Sequence, residues 1–283
     1  MAASPSLDES RAPPSRYPRR RLLGAVLAMH LAADGAIALI VFVDNADYLV
    51  ALMLGFVFAQ TLLAAVWTAW APMAFPWRLG SGLLAICFII FVLTLAIRRS
   101  APGDDIGPIV YGVILLIQWA LLQMPLWFAR AAFGHRLAFQ EGPRRHSGRE
   151  LQFGVGQLLA LTACIAVLLT LARWLYSQGA IEEFGRDWRL FLAVVAILAA
   201  FPVLAPLPAI WGAFASRAIA SLTVAAVFLA ALTIAQWYAF DAVTGDSTEL
   251  DFFAVMNGSL FLVTAATLLS VRFCGYRLIG APR

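Results

Sequence analysis

Apolar and polar positions along the chain alternate on the scale of whole helices. Eight apolar runs, at 22–43, 48–71, 79–97, 107–129, 152–174, 190–212, 217–240 and 252–272, are separated by short polar connections. A helix rises about 1.5 Å per residue, so about 20 residues cross a hydrocarbon core roughly 30 Å thick. Most of the runs reach that length. A helix also satisfies its own backbone hydrogen bonds, which hydrocarbon strictly requires. The pattern predicts an all-α integral membrane protein with about eight transmembrane helices.

Composition sharpens this picture. Of 283 residues, 62% are hydrophobic and 13% charged, with a mean hydropathy of +0.85. Soluble domains are about 45–50% apolar and about 25% charged. A water-soluble fold could not cover so much apolar surface with so few charges. Residues 1–21, rich in Pro, Ser and Arg, read as a disordered basic tail. The first run follows Arg19-Arg20-Arg21 but is too long for a secretory h-region, lacks a small-x-small cleavage site and carries Asp34. It reads as a signal-anchor helix.

Charge sets the orientation. All 20 basic residues are arginine, which excludes lysine chemistry such as Schiff bases. Alternate connections hold 15 arginines on one side and five on the other, and eleven of the 16 acids lie on the arginine-poor side. The positive-inside rule places the arginine-rich side, with both termini, in the cytoplasm. The expected location is a bacterial inner membrane. The cytoplasmic arginines suit anionic lipid headgroups, and around Trp127, Arg130 and Arg136 a helix end lying at the headgroups is one reading. The basic stretch Arg144-Arg145-His146, with Arg149, is too short for a nucleic-acid-binding fold. Cys87 and Cys164 lie inside apolar runs and Cys274 at a span end, which argues against a disulfide framework.

The longest cytoplasmic connection divides the spans into halves at 22–137 and 151–283, joined by a basic linker at 138–150. Phe133-Gly134-His135-Arg136-Leu137 closes the fourth run and Cys274-Gly275-Tyr276-Arg277-Leu278 the eighth, 141 positions apart. Trp70 and Trp211, and Leu63-Ala64 and Leu204-Ala205, share that spacing. Four spans per half implies two parallel four-helix repeats.

Polar groups within the runs mark candidate sites, because a charge at bilayer depth costs about 2.5–3.5 kcal/mol on insertion scales. His30 and Asp34 stand one helical turn apart near the middle of the first run. A protonated His30 would hold an Asp34 carboxylate, or Asp34 would keep its proton. The pair reads either as a self-satisfied contact between helices or as a proton-responsive site. Gln60, Gln118, Gln123, Gln157, Gln236 and Asn257 are further candidates, individually suited to interhelical hydrogen bonding. In the sixth run, Pro202, Pro206 and Pro208 force a bend or break, and Pro125 bends or ends the fourth.

Catalytic signatures fail on spacing. Glu182-Glu183-Phe184-Gly185-Arg186 resembles the glutamate pair and arginine of CAAX-type intramembrane metalloproteases, but it is one residue short and no histidine follows His146. Gly80-Ser81-Gly82 resembles the serine segment of rhomboid proteases, without a histidine in a later span to act as base. His30 and Asp34 offer two ligands where catalytic zinc takes three. No metal or cofactor is implied.

The fifth run opens Gln152-Phe153-Gly154-Val155-Gly156-Gln157-Leu158-Leu159-Ala160-Leu161-Thr162-Ala163. This resembles the Q-F-S-x-x-x-L-L-x-x-T-T opening of a group of bacterial multi-pass proteins, with Gly154 and Gly156 where those carry serine and a basic or polar residue. Ala59-Gln60 to Trp67, followed by Pro76-Trp77-Arg78-Leu79, is also similar. The resemblance implies a membrane protein and no particular activity. The sequence therefore leads to a polytopic, non-enzymatic protein with a structural, assembly or sensing role. The rival is a small-solute or proton-coupled transporter with its site at His30 and Asp34.

Overall fold

A computed structural model of the chain describes residues 17–39, 47–100, 103, 107–139, 188–245 and 249–279. The fifth run, Gln157, residues 1–16 of the tail and nearly all of the 138–150 linker lie outside the described residues. The elements are α1 (Tyr17–Leu39), α2 (Asp47–Trp70), α3 (Phe75–Ser100), α4 (Gly107–Phe133), β1 (Arg136–Phe139), α5 (Trp188–Leu204), α6 (Leu207–Phe214), α7 (Ala218–Thr244), α8 (Leu250–Phe273) and β2 (Tyr276–Ile279).

Among the described residues, six helices are long and apolar enough to cross a membrane. They are Asp47–Trp70, Phe75–Arg99, Gly107–Phe133, Leu192–Phe214, Ala218–Thr244 and Leu250–Phe273. Each falls on one of the apolar runs. The first run is also helical, as the 23-residue α1. That helix begins at Tyr17, so residues 17–21 belong to it and not to the tail.

Prolines act as local punctuation. Pro125 does not end α4, which continues to Phe133. The sixth run does break: α5 runs through Pro202 to Leu204, and α6 restarts at Leu207 with Pro206 as its N-cap. Pro206 has no N–H to continue the ladder, whereas Pro208 falls in the first turn of α6, where no donor is needed. The Ala205 N–H still donates to the Phe201 carbonyl at 2.9 Å, so the break is confined to one step.

Helix α2 is the centre of the bundle. It packs against α3, α4 and most extensively α8, and 72% of its most apolar window is buried, against 17% for α7. Helix α1 lies against α3 and α8; α5 bridges α4 and α7; α6 sits between α7 and α8. Two glycines permit the closest approaches. A Cβ on Gly55 would fall on Ser259 Oγ and the Met256 carbonyl of α8, and one on Gly82 of α3 would fall on Thr68 Oγ1 of α2. Large apolar side chains such as Leu84, Leu262, Val224 and Phe128 point outward, a surface suited to lipid.

One feature departs from helix. After α4 and α8, Gly134 (φ 66°) and Gly275 (φ 93°) turn the chain in the left-handed region that glycine tolerates. The two strands that follow pair antiparallel, with Leu137 directly opposite Leu278. The segment around Arg136 is therefore ribbon, and the helix end ascribed to it stops at Phe133.

Candidate intramembrane polar site

Three helices bring polar groups together near the middle of the bundle. From α1, His30 Nε2 lies 3.0 Å from Thr267 Oγ1 of α8. The imidazole also packs on Phe56 of α2, ring centroids 5.4 Å apart. One turn further along α1, Asp34 is 3% exposed, and the Gln60 amide of α2 donates a hydrogen bond to its carboxylate. Four atoms in this neighbourhood have no hydrogen-bond partner among the described residues: His30 Nδ1, Asp34 Oδ1, Gln60 Oε1 and, on α8 three residues before Thr267, Thr264 Oγ1.

His30 and Asp34 thus do not satisfy one another along their own helix. Each reaches a different neighbour, and each keeps one atom unpaired. A carboxylate with a single amide partner, removed from water, retains a strong demand for a proton or another cation. Asp34 provides an acceptor for one, and His30 a second group that can exchange protons.

The remaining described candidates make their hydrogen bonds elsewhere, and Gln157 lies outside the described residues. Gln118 of α4 donates to the Phe58 carbonyl of α2 at 3.4 Å. Asn257 of α8 donates to Gln236 Oε1 at 2.7 Å and lies 3.1 Å from Thr233 Oγ1, both on α7. Gln123 accepts from Trp127 Nε1 within α4 at 2.9 Å. These amides are interhelical or intrahelical ties. Thr267, Thr264 and Thr233 were not singled out from the sequence. A threonine can bond its own helix and is neutral, so it stands out little in an apolar run; the i, i+3 spacing of Thr264 and Thr267 is the one available signal.

A second polar assembly closes one end of the bundle. Arg130 Nη1 donates to the Ala69 carbonyl at 2.6 Å, and Arg78 Nη1 donates to the same carbonyl at 3.1 Å. Both guanidinium groups lie over the Trp127 ring, at 5.7 and 5.5 Å. Arg78 is 2% exposed, so it serves the C-terminal carbonyls of α2 and is turned away from the surroundings. At the end of α6, Arg272 Nη1 donates to the Ala213 and Ala215 carbonyls, each at 2.7 Å. Trp70 and Trp211 meet edge to face between these ends, centroids 6.4 Å apart. His135, just beyond α4, packs against Trp70, and burial pushes its imidazole below the ordinary value of 6.5.

The fold is that of a multi-pass α-helical membrane protein, with one buried carboxylate, Asp34, among the described residues. Compared with protein-family models, with curated proteins and with solved structures, the chain matches none of them.

Proposed function

We propose that this protein is a proton-coupled carrier of a small solute in a bacterial inner membrane, with Asp34 as its proton-binding group. The observation behind this reading is the Asp34 carboxylate itself: 3% exposed, held by the Gln60 amide, and left with one oxygen that has no partner among the described residues. The tying amides Gln118, Gln123, Gln236 and Asn257 each leave one buried atom open as well, so what sets Asp34 apart is the charge its carboxyl group can carry. Ionisable residues at membrane depth mark ion and substrate paths. The reading is non-enzymatic and requires no cofactor.

Eight spans in two four-helix halves, with both termini cytoplasmic, complete the proposal. Several contacts support a duplication. Residues 141 positions apart meet one another twice: Trp70 with Trp211, and Leu137 with Leu278. In each half an arginine near the end of the fourth helix, Arg130 or Arg272, caps the end of the second. The ribbon also bears on the span count. Three membrane-crossing helices lie between β1 and β2 among the described residues. An odd number cannot return a chain to the face it left, and the eight-span count restores the parity.

A structural role is the second reading, favoured by the interhelical ties of Gln118, Gln236 and Asn257 and by the tight α2–α8 contact at Gly55. One experiment separates the two. In proteoliposomes with a pH-sensitive dye inside, a screen of small solutes should find one that moves protons with it. Asp34→Asn should abolish that proton movement while thermal unfolding in detergent stays close to wild type. A variant that unfolds at much lower temperature, with no proton-linked flux in wild type, would support the structural role.

A further inference from the structure

Along α2 the order is Gly55, Gln60, Trp70; along α8 it is Ser259, Thr267 and then, through Cys274, strand β2. Three kinds of contact therefore follow one another down a single seam between the two halves. At one level Gly55 brings the α2 backbone against Ser259 and Met256, the closest helix approach described above. Below it lies the polar site, with His30 to Thr267 across the seam and Asp34 to Gln60 beside it within the first half. At the far end stand the Trp70–Trp211 pair and the β1–β2 ribbon. Gln60 and Trp70 are ten residues apart, about 15 Å along a helix.

The contacts differ in how readily they part. The Gly55 contact sets backbone against the Met256 carbonyl, which cannot swing aside, with the Ser259 hydroxyl beside it. The far end joins the halves through one aromatic edge and a four-residue ribbon, while the Arg130 and Arg272 caps there each lie within one half, and an isolated two-stranded ribbon is marginal by itself. The ribbon is also locally symmetric. The 141-position repeat carries the Arg136–Ile279 pair onto Arg277–Ala138, and Leu137 opposite Leu278 lies on that local axis. The two halves contribute equally to this end, and neither strand has any other strand partner among the described residues.

We propose that the ribbon and the tryptophan pair are a clasp that gates the Asp34 site toward the face carrying the ribbon. With the clasp shut, Trp70, Trp211, Leu137 and Leu278 seal the seam. When it parts, the halves hinge about the Gly55–Ser259 contact and open Thr267, Gln60 and Asp34 to water from that face. The proposal rests on the carrier reading for its purpose, but its geometry does not depend on any flux.

The test uses the full chain with Cys87, Cys164 and Cys274 replaced, Thr267→Cys as a reporter, and Leu137→Cys with Leu278→Cys as a lock. Directly opposed residues of an antiparallel pair have Cα atoms about 4.5–5.5 Å apart, within the span of a disulfide. Inverted and right-side-out vesicles are treated with a charged, membrane-impermeant maleimide, and labelling of the reporter is timed before and after oxidation of the lock. Labelling is expected from the ribbon face only, slowed about tenfold by the disulfide, the change a 1.4 kcal/mol shift in opening would give. Trp70→Ala with Trp211→Ala, in a chain without the lock, should speed it. Labelling that is equally fast with the lock open and closed overturns the clasp. So does a lock that never oxidises in chains that run as a single monodisperse species. Gated labelling in a protein that moves no solute would uphold the clasp and remove the carrier reading.

Discussion

Gly55 shows how one residue sets the spacing of the two most intimate helices. Its missing side chain is what lets α2 and α8 meet, and any Cβ would collide with the Met256 carbonyl as well as Ser259. The hydroxyl can rotate away, but the carbonyl belongs to the backbone and cannot. Gly55→Ala should therefore destabilise by about 1–3 kcal/mol, the usual cost of overpacking. Gly258→Ala, on α8 itself, meets open space and should be neutral or slightly stabilising, because alanine favours helix by roughly 1 kcal/mol over glycine. Thermal unfolding of the two variants in the same detergent makes the comparison; equal midpoints would remove Gly55 as a close-packing position. The polar site was half legible at this scale. A charge inside an apolar run is conspicuous, so His30, Asp34 and Gln60 stand out in the sequence. What the i, i+4 spacing of His30 and Asp34 could not disclose is that each turns to another helix. Thr267 lies 237 positions from His30, and no local rule joins residues so far apart.

Elements followed the hydropathy wherever lipid alone dictated them. Six membrane-crossing helices fall on the apolar runs because hydrocarbon leaves a long apolar segment no other way to satisfy its backbone. The ribbon was not legible, since four residues such as Arg136–Phe139 carry too short a pattern to distinguish strand from helix end, and their partner strand is remote. What the sequence did offer was the matching pair of closing segments, and the structure places those segments side by side. His135 gives this element a pH dependence. Burial against Trp70 and Phe133 holds its folded imidazole below 6.5, so the unfolded or unclasped chain binds the proton more readily. Stability contributed there is complete above the unfolded value and is lost as pH falls through the window below 6.5. Amide exchange at Leu137 and Leu278 should accordingly quicken on acidification from neutral pH, and His135→Gln should flatten the response. An unchanged profile in that variant would assign the pH sensitivity to another group.

For the whole molecule, two arguments bear on the proposed arrangement in the membrane. One is the distribution of arginine, 15 against five, which sets the inside face by how costly it is to move positive loops across. The other is pairing: β1 and β2 can meet only if the chain leaves α4 and α8 on the same face. The first argument bears on which side is cytoplasmic and depends on the proposed count of spans. The second fixes the parity of the spans between the strands and says nothing about which side is which. Together they predict a definite result for reporters that are active in one compartment only. Fusions within 138–150 and after residue 283 should both report the cytoplasm. A fusion within 175–187, between the fifth and sixth runs, should report the opposite side. If the 175–187 fusion instead agrees with the other two, the chain does not cross between 150 and 175. The span count is then not eight, and the parity required by the ribbon has to be met elsewhere in the chain. If the first two disagree with each other, the ribbon cannot form in the membrane, and the clasp between the halves goes with it.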